Sequence, residues 1–126
     1  MNSVYEKFGL NKRKPLCTDR TITDLLITNV RYLRDRTMYH YDGANTSYVD
    51  AYDKVTRIAY WLNSKGIQKG DRVAVILPNT PQFVLVAHAV WSLGATLVAL
   101  NPLYTSRELT FQLQNSGSKI AFVLDI

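Results

Sequence analysis

The stretch Val73-Ala74-Val75-Ile76-Leu77-Pro78-Asn79-Thr80-Pro81 decides the fold of this chain. Its first five residues are all apolar, so neither face of the strand they form is meant for water. Strands of that kind belong to sheets covered on both sides, above all parallel ones. Pro81 suits a first helical position, where its missing amide hydrogen costs nothing, and Thr80 is placed to cap the same helix. That helix is predicted to run through Phe83, Val84, Ala87, Val90 and Trp91 and to stop at Gly94. Thr96–Leu100 follows as a second apolar strand. Thr105-Ser106-Arg107-Glu108 has the pattern of a capping box, opening a helix through Leu109, Leu113 and Asn115 that stops at Gly117. Ile120–Leu124 reads as a third buried strand. Connections this short imply a parallel βαβαβ unit over about residues 72–124, with right-handed crossovers. The fold class is α/β.

Upstream, Leu25, Leu26, Val30 and Leu33 form an apolar stripe on a helix opening at Thr23. Thr37–Tyr41 is rich in strand formers, and Asp42-Gly43-Ala44-Asn45 has turn chemistry, which predicts a short hairpin ending near Tyr48. Ser47 and Asp50 hold the positions of a capping box for a further helix. Ala51, Tyr52, Val55, Ile58, Ala59 and Leu62 supply its inner face, and Asp53, Lys54 and Arg57 its outer one. Gly66 is placed to end it in the left-handed conformation. Residues 1–20, with Gly9 and Pro15, show no periodicity and read as an irregular basic arm.

At 126 residues the chain is one domain rather than two. Hydrophobic residues at 47% and charged ones at 20% exclude a largely disordered protein. No apolar run reaches the roughly 18 residues of a membrane span, and no secretory signal opens the chain. Cys17, the only cysteine, cannot form an intramolecular disulfide, and a cytoplasmic location is the expectation. The net charge of +5 is concentrated early: residues 1–40 carry eight Lys/Arg against four Asp/Glu, densest at Lys12-Arg13-Lys14. This is a solvated lead-in rather than a nucleic-acid surface, because no RNA-binding aromatic signature or zinc-finger spacing accompanies it.

Ligands of open parallel sheets bind at the carboxyl ends of the strands. Those ends are Pro78-Asn79-Thr80-Pro81, Asn101-Pro102-Leu103-Tyr104 and Asp125-Ile126. They contain no glycine-rich dinucleotide turn and no phosphate loop ending in Lys-Ser/Thr. No Gly-x-Ser-x-Gly elbow is present either. His40 and His88 are the only imidazoles, and His88 falls in an apolar helix as a packing residue rather than a base. Asp50 and Asp53 read as cap and solvent face, Trp61 and Trp91 as packing residues. Asn79 and Asn101 are expected to bond nearby backbone in turns. On these grounds no residue of the chain is assigned as catalytic, cofactor-binding or metal-binding.

Five segments nevertheless stand together: Ser47-Tyr48-x-Asp50, the run Lys65-Gly-Ile-Gln-Lys-Gly-Asp-Arg-Val-Ala74, Leu77-Pro78-Asn79, Trp91-Ser-Leu-Gly-Ala-Thr-Leu-Val98 and Asn101-Pro-Leu-Tyr-Thr105. In this order and spacing they resemble the adenylate-forming, AMP-forming acyl-CoA synthetases, over residues from about 21 to 126. The first resembles the family's Thr/Ser-Tyr-x-Glu-Leu motif, with Asp50 replacing Glu and Ala51 replacing Leu. The resemblance implies that residues 21–126 are the first part of a larger N-terminal domain. It also implies a two-step ligase that uses ATP, Mg²⁺ and coenzyme A on a carboxylic or fatty acid. The family's phosphate loop, ribose-binding Asp and C-terminal lysine have no counterpart in these residues. The chain is therefore expected to be an inactive scaffold portion whose partner is the remainder of its own polypeptide, with neither nucleic acid nor a membrane span involved. Its stop at a strand end fits an excerpt. The alternative is a stand-alone α/β module acting by binding or oligomerisation, most simply as a homodimer.

Overall fold

The computed structural model describes residues 20–125, so the arm expected over residues 1–20 lies outside the described residues except for Arg20. Helix α1 (Ile22–Leu33) leads into a hairpin of β1 (Thr37–Tyr41) and β2 (Ala44–Ser47), followed by α2 (Tyr48–Ser64). Strand β3 (Arg72–Ile76), α3 (Pro81–Ser92), β4 (Thr96–Ala99), α4 (Ser106–Ser116) and β5 (Ile120–Val123) complete the chain. The three later strands form one parallel sheet in the order β4-β3-β5. The expected α/β architecture, with helix, hairpin and helix before a βαβαβ unit, is the one observed.

That strand order explains the layers. From β3 to β4 the chain steps one way, and from β4 to β5 it steps back across β3. Right-handed crossovers then place α3 and α4 on opposite faces of the sheet. Side chains along β3 alternate accordingly. Val73 and Val75 join Leu85, Val86, Ala89 and Val90 of α3 and Ala51, Val55 and Leu62 of α2 in the main core. Ala74 and Ile76 face the other way, toward Leu100, Val98, Leu109 and Leu113.

Only β3 is buried on both faces. The expectation that the other two strands are equally buried is corrected: β4 and β5 are sheet edges, and Val123 is 62% exposed. Helix α4 likewise buries no residue completely. The physical reason is coverage, since each edge strand has one neighbour where β3 has two.

Helix ends follow the sequence with three departures. Helix α1 begins at Ile22 rather than Thr23, because Thr21 and Asp24 form a complete capping box. At α2, Ser47 Oγ accepts from the Asp50 amide at 3.2 Å, but the carboxylate accepts from the Ser47 hydroxyl at 2.6 Å. The capping box is thus only half built. Ser47 is also the last residue of β2, paired with Thr37, and the Asp50 carboxylate meets its hydroxyl rather than its amide. Thr80 occupies the cap position of α3 without a side-chain cap bond; the Phe83 amide donates instead to the Thr80 carbonyl at 3.1 Å. The box at Thr105 and Glu108 is complete, as expected. The hairpin turn is shorter than predicted, with only Asp42 and Gly43 between the strands, at φ 48° and 75°.

Helices α2 and α3 stop in the same way. The Ile67 amide reaches back to the Leu62 carbonyl, and the Ala95 amide to that of Val90, each across a left-handed glycine. In both cases the residue after the glycine is buried, so the stop also turns the chain into the core. Leu62 is fully buried, and Leu62→Ala is expected to lower unfolding free energy by about 2–5 kcal/mol, read from denaturant midpoints. Gly94→Ala places a side chain at φ 67°, 3.0 Å from the Lys69 Cγ stem. A loss of about 1–2 kcal/mol is expected, mostly from backbone strain since the lysine stem can move. An unchanged midpoint would show that the turn is not held in this conformation.

Candidate functional site

The two ends of the sheet differ in chemistry. At the amino ends Asp71 ties the strands together. Its Oδ2 accepts from the Gln68 amide at 2.9 Å, its Oδ1 meets Lys119 Nζ at 2.7 Å, and its carbonyl accepts from the Thr96 amide. The Lys119 bond, then the Gln68 amide, hold the Asp71 carboxyl below its ordinary value. Glu108 and Asp24 are lowered in the same direction by their cap partners Thr105 and Thr21. All three are structural acids.

At the carboxyl ends, Leu77, Pro78 and Thr80 open into an apolar cavity of about 600 Å³ shared with Tyr41, Val86 and Phe122. The cavity lies between the ends of β3 and β5, and no residue of the loop after β4 lines it. Asn101 spends its side chain as expected, with Oδ1 accepting from the Leu103 amide at 2.9 Å. Asn79 instead lines an adjoining hollow of about 440 Å³ between the hairpin and α3, beside His40 and Pro81, which shares Tyr41 and Thr80 with that cavity. His40 Nδ1 lies 2.7 Å from Asn45 Oδ1 within the hairpin. Cys17 lies outside the described residues.

His88 packs edge-on against Trp91, with ring centroids 5.5 Å apart, and its Nδ1 is buried without a partner. Burial pushes its pKa below the ordinary 6.5. It lines neither cavity described above and stays a packing residue, as the sequence suggests. Among the described residues no cluster of three His, Cys, Asp or Glu can hold a metal. The lining of the cavity at the carboxyl ends holds no Lys, Arg, Asp or Glu, so no step of phosphate or Mg²⁺ chemistry is assigned to it. No helix among the described residues is long and apolar enough to cross a membrane.

A feature not read from the sequence lies along α2. Lys54, Arg57, Ile58 and Trp61 line a groove of about 470 Å³ with Leu85 and Phe122. Trp61 meets Phe122 edge-on at 5.8 Å, and Lys65 Nζ stands 5.8 Å from the Trp61 ring. The groove shares Ile58, Leu85 and Phe122 with the cavity at the strand ends, so the two make one apolar channel. Its sequence signal was a helical face mixing Lys54 and Arg57 with Ile58 and Trp61, which also fits solvent exposure.

Comparison with known proteins places this architecture. The family model described as AMP-binding enzyme matches residues 27–125. A long-chain-fatty-acid–CoA ligase of Bacillus subtilis is 34% identical over 108 residues, covering 86% of this chain and 19% of its own length. The solved O-succinylbenzoate coenzyme A synthetase of Bacillus subtilis superposes with a TM-score of 0.72 at 28% identity, over 76% of this chain and 21% of that one. The N-terminal subdomain of NpsA from Klebsiella oxytoca gives 0.78 at 20% identity, over 85% of this chain and 28% of that one, a likeness of fold. The chain belongs to the AMP-binding enzyme family, whose matched relatives include acyl-CoA ligases. It spans about a fifth of the length of the Bacillus ligase.

The His88 shift predicts a pH dependence. The folded pKa lies below the unfolded value, so the stability due to neutral His88 is complete above about pH 6.5 and is lost as pH falls toward the folded value. Denaturant midpoints from about pH 8 to about pH 5 should fall more steeply in the native chain than in His88→Phe. Equal slopes would mean that His88 protonates in place.

Proposed function

We propose that this chain is a scaffold portion of an ATP-dependent, AMP-forming acyl-CoA synthetase acting on a carboxylic or fatty acid. The observation that carries this reading is the family match across residues 27–125, joined to relatives named as CoA ligases. In the reaction the substrate carboxylate forms a bond to the α-phosphorus of ATP as the bond to pyrophosphate breaks, leaving an acyl-adenylate. The thiol of coenzyme A then forms a bond to the acyl carbon, AMP leaves with the electrons of the broken bond, and the thiol proton passes to solvent.

Residues 21–126 serve as the first part of the N-terminal domain, and the remainder of the polypeptide supplies the groups that hold ATP, Mg²⁺, coenzyme A and the acid. No residue of the present chain is proposed as catalytic. Its part is to hold the carboxyl ends of β3, β4 and β5 in register, a framework on which reacting groups can be positioned. A role in fatty-acid metabolism is supported by the Bacillus subtilis relative, while a Listeria innocua 2-succinylbenzoate–CoA ligase at 33% identity acts on a different acid. A cytoplasmic setting accords with a lone cysteine.

Two measurements test the proposal. The coding frame beyond codon 126 is expected to continue and to encode a Ser/Thr/Gly-rich loop ending in Lys. The full-length product is expected to release AMP and form a thioester from ATP, coenzyme A and a fatty acid, whereas the 126-residue chain gives no acid-dependent pyrophosphate exchange above background. A stop codon directly after Ile126 would overturn the ligase reading in favour of a stand-alone module. Exchange by the short chain would overturn the assignment of catalysis to later residues.

A further inference from the structure

Three features of the α2 channel point to an occupant. The first is its apolar floor: Ile58, Leu85 and Phe122 lie at its centre, with Trp61 44% exposed and Val123 62% exposed at its margins. Exposed apolar side chains gathered around one hollow, rather than scattered singly, call for a covering segment. The second is charge. Lys54 and Arg57 on α2 and Lys65 at its carboxyl cap, beside Trp61, lie on one side, and no carboxylate of the described residues forms an ion pair with any of them. The third is length, since the Bacillus subtilis ligase that matches this chain carries about four-fifths of its sequence elsewhere.

Crossover geometry narrows the occupant further. The channel lies on the α3 face of the sheet, beside β5. A parallel strand added outside β5 would continue the step from β4 to β5, and a right-handed connection would put its helix on the α4 face. That helix cannot fill the channel. The occupant must arrive from a part of the polypeptide other than the immediate crossover.

We propose that the channel formed by α2, α3 and β5 is the docking seam for an amphipathic segment from a later part of the same polypeptide, with an apolar ridge flanked by Asp or Glu. The inference deepens the ligase reading and rests on it, because that reading supplies the longer chain. The ridge fills the hollow over Ile58 and Phe122, and its carboxylates meet Lys54, Arg57 and Lys65. Burying this surface within one chain avoids the rotational and translational loss that a separate partner would incur.

The test uses the full-length polypeptide with a photo-crosslinking benzoylphenylalanine at Ile58, the adducts being mapped by mass spectrometry. The expected adduct is intramolecular and joins position 58 to a peptide beyond residue 126 that contains acidic residues. Arg57→Glu is expected to reduce its yield at least several-fold. Adducts between two molecules, adducts to residues 1–19, or no adduct would each overturn the proposal. A second measurement avoids the unnatural residue: acrylamide quenching of the native full-length protein compared with its Trp61→Phe variant isolates the Trp61 signal. That signal is expected to be shielded, and free access of acrylamide to Trp61 would also overturn the proposal. Thioester formation is measured on the same preparation. An active ligase lacking the adduct refutes the docking seam alone, whereas a frame ending at Ile126 refutes the ligase reading and the seam with it.

Discussion

Everything in this molecule depends on β3 having no face to spare. Val73 and Val75 are fully buried on one side, Ala74 and Ile76 are buried on the other, and both edges of the strand carry a parallel neighbour. A strand so enclosed cannot slip its register by one residue without exchanging the contents of two cores. The difference in size between Ala74 and its valine neighbours adds a steric key. With β3 fixed, the faces of α3 and α4 follow from handedness, and with them the open channel beside β5.

The amino ends of the strands are bound by a charged pair and its hydrogen bonds, whereas the carboxyl ends of β3 and β5 open into an apolar cavity. Asp71 gathers the Gln68 turn, the start of β4 and, through Lys119, the start of β5. Lys69 lays its stem over Gly94, and the Arg72 guanidinium lies over Gly117, at the ends of α3 and α4. Cations near helix carboxyl ends complement the partial negative charge there. Helix α4 has no basic residue of its own in its last turn, and Arg72 at the start of β3 supplies the charge there instead. Stabilising charges are thereby kept away from the end of the sheet where ligands of this fold class bind.

Much of this was legible in the residues because the signals were local. All-apolar strands, Pro81, the Thr105–Glu108 box and the glycine stops each act within a few positions, and they specify element type and order. The misreadings came where two roles compete for one residue. Ser47 ends a strand and caps a helix at once, so its amide and hydroxyl could not both serve the cap. Thr21 and Asp24 carried the same signal as Thr105 and Glu108, yet the apolar stripe beginning at Leu25 drew the helix start to Thr23. The extent of burial in β5 was not legible at all, since five apolar residues look the same whether or not something covers them. The channel along α2 was hidden for a related reason: Arg57 and Trp61 suit a wet surface and a docking rim equally well. The turn role of Asn101 was legible too, since an Asn directly after a strand commonly bonds the backbone two residues on.

The strand order has a consequence for how the chain is made as well as how it stands. Residues emerge in the order β3, α3, β4, and that unit can close on itself through contacts of short sequence separation. The second edge of β3 waits until Ile120 is synthesised, so its unpaired amides and carbonyls remain open for the whole passage of α4. Closing distant contacts is slower than closing near ones, and an open strand edge is a template for other chains. The central strand of the finished sheet is therefore, during synthesis, its most vulnerable edge.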